Sequence, residues 1–131
     1  MKYEPPYIPK DAKWYLAEII METVFDADYF NAVDNNWTLV RADSPEEAYE
    51  KALLLGKESE LVYDNTDGKK VTVSFRGLGN LHVIYDAFEH GAEIIYERHQ
   101  DVSYDTLAKM LRPKEQLNVF APREVSDDEL L

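Results

Sequence analysis

The sequence predicts an α+β domain: a single antiparallel sheet of about five to six strands, with a well-capped helix over residues 44–56 and a second short helix over 103–112 packed on one face. Three observations carry this reading. Apolar residues alternate with period two in several segments, a helix-start signal stands at Asp43-Ser44-Pro45-Glu46-Glu47, and strands and helices do not alternate strictly enough for a doubly wound fold.

Residues 1–12 (MKYEPPYIPKDA) carry Pro5, Pro6 and Pro9, each of which fixes φ and removes an amide donor, so they read as an extended arm. No apolar run follows the N-terminal charge, so the segment lacks the pattern of a secretory signal. Residues 13–120 then read as one domain, and 121–131 as an acidic tail.

From Trp14 to Phe25, residues Tyr15, Ala17, Ile19, Met21, Thr23 and Phe25 form one face, while Leu16, Glu18, Ile20 and Glu22 form the other. Leu16, Ile19, Ile20 and Thr23 would also fit a helical stripe, but no N-cap precedes them, and a strand is preferred. Asp26–Asn36 is rich in turn formers and reads as a long loop, followed by a strand at Trp37–Ala42. In the helix that follows, Ser44 caps, Pro45 takes the first position and Glu47 completes the capping box. Ala48, Tyr49, Ala52, Leu53 and Leu55 supply its buried stripe, and Gly56 is expected to end it.

Glu60–Asp64 and Lys69–Arg76 form a hairpin across Asn65-Thr66-Asp67-Gly68, with Val71, Val73 and Phe75 on one face. A second hairpin is predicted from Leu78–Tyr85 and Ala92–His99. It would place Leu81, Val83, Tyr85, Ala92, Ile94 and Tyr96 on an apolar face. Asn80, His82, Ile84, Glu93, Ile95, Glu97 and His99 would lie on the opposite one. Ser103 caps the second helix, Pro113 stops it, and Leu117–Phe120 suits a last short edge strand.

Composition narrows function by exclusion. The chain has 131 residues, 45% of them hydrophobic, so it can bury a core. Its 26 Asp and Glu against 14 Lys and Arg leave a net charge of −12, which argues against direct binding of nucleic-acid phosphates. The tail accounts for −3 of that charge, so the domain itself is acidic. Zero cysteine excludes disulfides, thiolate metal sites and a cysteine nucleophile. With no apolar run near the ~20 residues of a membrane span, a cytoplasmic protein is expected.

Few residues suggest chemistry. His82, Glu93, Glu97 and His99 share the polar face of the predicted second hairpin and are the candidate metal or acid–base cluster. Asn65, Asp67 and Gly68 fit part of a calcium-loop frame, but Tyr63 and Ser74 stand where its first and last ligands belong. Gly77-Leu78-Gly79 is followed by no helix that could hold a phosphate, and reads as a bulge or bend. There is no Gly-x-Ser-x-Gly elbow, and no cofactor is implied. Asp26, Asp28 and Asp34 crowd Tyr29, Phe30 and Trp37, a mixture suited to docking on a basic, partly apolar surface; Glu93 and Glu97 offer a second acidic face.

Four stretches carry a family resemblance: Lys13–Ala17, Leu39–Ala52 (LVRADSPEEAYEKA), Asp67–Leu78 and Gly91–Ile94. Over residues 13–97 the chain resembles the bacterial domain of unknown function 4288 family. The resemblance implies a compact bacterial cytoplasmic domain and transfers no catalytic residue. The leading expectation is therefore a small acidic, non-catalytic interaction protein that docks on a basic protein surface. An immunity-type or nucleic-acid-mimicking inhibitor is one alternative. A small enzyme or metal-binding protein using the His82/Glu93/Glu97/His99 face is another. A homodimer, through an uncovered edge strand or through exposed Ile84 and Ile95, is a further expectation.

Overall fold

The computed structural model describes residues 3–26 and 30–123. These divide into two compact units, one ending at Tyr96 and one beginning at Glu97. The first unit is an α+β structure with a single antiparallel sheet. Its elements are β1 (Trp14–Phe25), β2 (Phe30–Arg41), α1 (Pro45–Glu58), β3 (Leu61–Asp64) and β4 (Lys70–Val83), with sheet order β2-β1-β4-β3. The second unit carries a short helix, α2 (Tyr104–Lys109), and a 3₁₀ turn at Lys114–Gln116.

β1 follows its alternation. Tyr15, Ala17, Ile19 and Met21 are buried against Val40, Ala42, Ala48 and Ala52 in the core, while Leu16, Glu18, Ile20 and Glu22 face the other way. The rival helical stripe is overruled because both edges of β1 are paired, to β2 and to β4.

The expected loop at 26–36 is largely strand. β2 starts at Phe30, and Asn31, Asn35 and Asn36 pair with Val24, Ile20 and Ile19. Pairing with β1 overrides the turn preference of the Asp/Asn-rich stretch, as sheet propensity is set more by neighbours than by residue type.

Ser44 caps α1: its Oγ accepts from the Glu47 amide at 3.1 Å. The Glu47 carboxylate reaches back to accept from the Asp43 amide at 3.2 Å, one residue before the usual partner. Lys13 donates to Asp43 at 2.8 Å and ties the approach to β1 to the start of α1. The helix runs two residues past its expected end, so Gly56 does not terminate it. Gly56 completes a buried line of small residues with Ala48 and Ala52, and a Cβ there would overlap the Phe75 ring. Tyr49, expected in the buried stripe, is one position round from this line and is exposed.

β4 merges two predicted strands. Two irregularities interrupt its pairing with β1: Arg76 is skipped between Phe75 and Gly77, and Gly79 between Leu78 and Asn80. Each extra residue inverts the side-chain alternation. The first swings Leu78 into the core beside Phe75, and the second restores the phase so that Leu81 and Val83 also pack inward. At the β3–β4 tip, Asn65 Oδ1 accepts from the amides of Asp67 and Lys69, and Gly68 takes φ +75°.

The five to six strands expected are four among the described residues. Neither Ala92–His99 nor Leu117–Phe120 is a strand. Leu78–Val83, the predicted partner of 92–99, pairs with β1 instead. Ile84 donates to the Trp14 carbonyl at 3.0 Å and is buried, contrary to the exposure expected of it. α2 starts on its Ser103 cap but ends at Lys109, ahead of the expected Arg112, consistent with the extended conformation that Pro113 imposes on its predecessor.

Candidate functional site

α1 covers one face of the sheet. The opposite face is the candidate site, and the alternation of β1 builds it. Leu16 lies between Leu39 and His82, Glu18 between Trp37 and Asn80, Ile20 between Asn35 and Gly77, and Glu22 between Val33 and Ser74. The carboxylates are held in place. Asn35 Nδ2 donates to Glu18 at 2.9 Å, Asn31 Nδ2 donates to Glu22 at 2.7 Å, and Arg76 Nε lies 3.8 Å from Glu22. Gly79 makes room for this arrangement, since a Cβ there would collide with the Glu18 carboxylate. Trp37 and His82 stack across the β1 strand at 6.4 Å, and Val33, Trp37 and Leu39 are each about half exposed (55%, 47% and 50%). Two anchored carboxylates thus stand among exposed apolar and aromatic side chains.

One end of this face is roofed. Phe88 packs on Trp14 with ring centroids 5.5 Å apart, and the Arg41 guanidinium lies 5.9 Å from the Trp14 ring centroid. Beside it, a cavity of about 420 Å³ is lined by Leu16, Leu39, Phe88, Glu89, Ala92 and Ile94. A second, of about 310 Å³, brings together His82, Tyr85, Asp86, Glu93, Ile94 and Tyr96. The Asp86 carboxylate accepts from the Glu93 amide at 3.2 Å and closes the 86–93 loop. The N-terminal arm is held nearby: Tyr7 stacks on Tyr85 at 6.3 Å, and the Tyr85 hydroxyl donates to the Tyr7 carbonyl at 3.2 Å.

The residues singled out from sequence separate in space. Asp28 and Tyr29 lie outside the described residues. Asp26 is exposed at the end of β1, its amide donating to the Lys70 carbonyl at 3.2 Å. Phe30 and Asp34 stand opposite Phe25 and Met21 and so share the α1 side of the sheet. Trp37 points to the other side, so the acidic–aromatic group is split by the pleat. The His82/Glu93/Glu97/His99 set becomes two pairs. His82 and Glu93 line one cavity of the first unit, whereas Glu97 and His99 approach to 3.6 Å within the second. Among the described residues, no three His, Asp or Glu side chains are grouped to hold a metal ion. Sequence reasoning missed Asn31 and Asn35, which orient the carboxylates. Asn31 and Asn35 sit diagonally beside Glu22 and Glu18, a relation readable only once β2 was known to reach back to Phe30.

A family model described as a domain of unknown function (DUF4288) matches residues 14–96. The chain belongs to this family. The DUF4288 match begins with β1 and ends where the first unit ends, so it contains the whole sheet, α1 and both cavities. No curated protein and no solved structure matches the chain. No helix among the described residues is long and apolar enough to cross a membrane.

Proposed function

We propose that this DUF4288 protein is a non-catalytic binding module that docks a basic, partly apolar protein surface on the open face of its sheet. One observation carries the reading: exposed Trp37, Val33 and Leu39 surround Glu18 and Glu22, whose carboxylates are already oriented by Asn35 and Asn31. Aromatic side chains supply contact area at low entropic cost, and preset carboxylates receive cations without reorganising. The chain's −12 charge adds a long-range field that speeds encounter with a basic partner and repels nucleic-acid phosphates. The absence of cysteine suits a bacterial cytoplasmic setting, where this reading places the protein.

The test is titration with a peptide alternating Arg or Lys with aromatic residues, read by tryptophan fluorescence. Binding should weaken steeply with salt, and Trp37→Ala or the pair Glu18→Gln with Glu22→Gln should reduce affinity by about tenfold or more. Equal affinity of the wild type and these variants, or binding indifferent to salt, would reject the reading.

A further inference from the structure

β2 is an edge of the sheet, and its outer side has the features of a self-pairing strand. The Ala42 amide donates to the Lys13 carbonyl at 2.9 Å, so even-numbered positions along this strand turn their hydrogen-bonding groups toward β1. Alternation leaves the N–H and C=O groups of Asn31, Val33, Asn35, Trp37 and Leu39 directed outward. These outward groups form one uninterrupted row, because β2 pairs with β1 over twelve residues without a bulge. β2 also lacks the usual guards of an exposed edge: it contains no proline, no lysine and no register break. The other edge, β3, has only four residues.

Charge selects the same strand for contact between like molecules. On a chain of net charge −12, β2 carries one Asp and one Arg, a local net of zero. We infer that two copies of this chain pair through β2, antiparallel about a two-fold axis at Asn35, to make one continuous eight-stranded sheet. In that register Val33 faces the partner's Trp37 on the open face, and Phe30 faces the partner's Val40 on the α1 side. The Val33–Trp37 pair joins two half-exposed side chains, is an aromatic–β-branched cross-strand pair of the stabilising kind, and occurs twice across the axis. Asp34 faces the partner's Asn36. An axis at Asp34 would instead set two like charges opposite each other, and an axis at Asn36 would lose both aromatic pairs. The inference does not depend on the binding reading, although pairing would double the open face available to a partner.

The absence of native cysteine makes the register directly readable. Facing Asn35 positions would have Cα atoms about 5.5 Å apart, within the ~4.4–6.8 Å that a disulfide spans. Under mild oxidation the full-length Asn35→Cys protein should form a covalent dimer at least about tenfold faster than Asn36→Cys or the helix-surface control Glu50→Cys. In light scattering over about two decades of concentration, the wild type should approach twice the 15.2 kDa chain mass. Asn35→Pro removes the outward amide, together with the side-chain bond to Glu18, and should stay monomeric. A wild type that is monomeric throughout, an Asn35→Cys that cross-links no faster than Glu50→Cys, or Asn36→Cys reacting in its place overturns the inference. A folded Asn35→Pro that still dimerises does so as well.

Discussion

β1 shows two kinds of surface on one strand. Its odd-numbered face is dry: Tyr15, Ala17, Ile19 and Met21 are 4% exposed or less beneath α1. Its even-numbered face alternates Leu16, Ile20 and Val24 with two carboxylates, each engaged by an asparagine from β2. The difference shows where stability and recognition are separated in this fold. The covered face is specified by volume, so small residues on α1 match large ones on the sheet. The open face is specified by hydrogen-bond direction, with oriented polar groups among partly exposed apolar ones.

The strongest way to break the contrast is to truncate neighbours on the two faces. Ile19→Ala should destabilise the protein by about 2–5 kcal/mol in denaturant unfolding, and Ile20→Ala by about 1 kcal/mol or less. Equal losses would mean that the open face is also packed. Next is Gly56→Ala. The added methyl improves helix propensity by about 1 kcal/mol but collides with Phe75, and overpacking of this kind costs about 1–3 kcal/mol. A net loss of about 1 kcal/mol is expected, recovered when Phe75→Leu is added.

Tyr15 sharpens the contrast from inside the covered face, because its buried hydroxyl has no hydrogen-bond partner. Tyr15→Phe should be neutral or stabilising by up to about 1 kcal/mol, since an unsatisfied buried hydroxyl is a cost. Burial raises the phenol above its ordinary value of 10.0, with Asp43 and Glu47 adding to the rise and Lys13 opposing it. The unfolded chain therefore releases this proton first, and stability falls as pH rises past 10. Tyr15→Phe should flatten that alkaline limb in pH-dependent melting.

The smallest effect belongs to Asp43. Its hydrogen bond from Lys13 and the nearby ammonium charge hold its carboxyl below the ordinary 3.8. The contribution is complete above 3.8 and disappears as pH falls through the lower folded value. Asp43→Asn should lower stability slightly at neutral pH, leave it unchanged at the acid end, and so remove a small part of the acid limb of the melting profile.

Local signals with a mechanism were readable in advance. The Ser44–Glu47 box and the alternation of Trp14–Phe25 specify their elements almost alone. Signals that depend on a distant partner were not. Asn31, Asn35 and Asn36 look like a loop until β1 pairs with them, and Gly56 looks like a terminus until the Phe75 ring is placed against it. Gly77 and Gly79 were legible as a disturbance, but not as two compensating phase changes within one strand. The alternation of Ala92–His99 misled because periodicity records a half-buried pattern without showing that the segment is paired: Ile94 lines both cavities from a non-strand backbone. For the candidate site, Trp37 was found without the neighbours that give it chemical meaning, because those sit on three different strands.

The central position of β1 has a consequence for the birth of the protein. β1 needs β4, whose residues emerge roughly sixty positions later, which at ~5–20 residues per second is a delay of several seconds. Until then the nascent chain presents Tyr15, Ile19 and Met21 without their final cover, and the closure it awaits is a long-range one that raises contact order and slows folding.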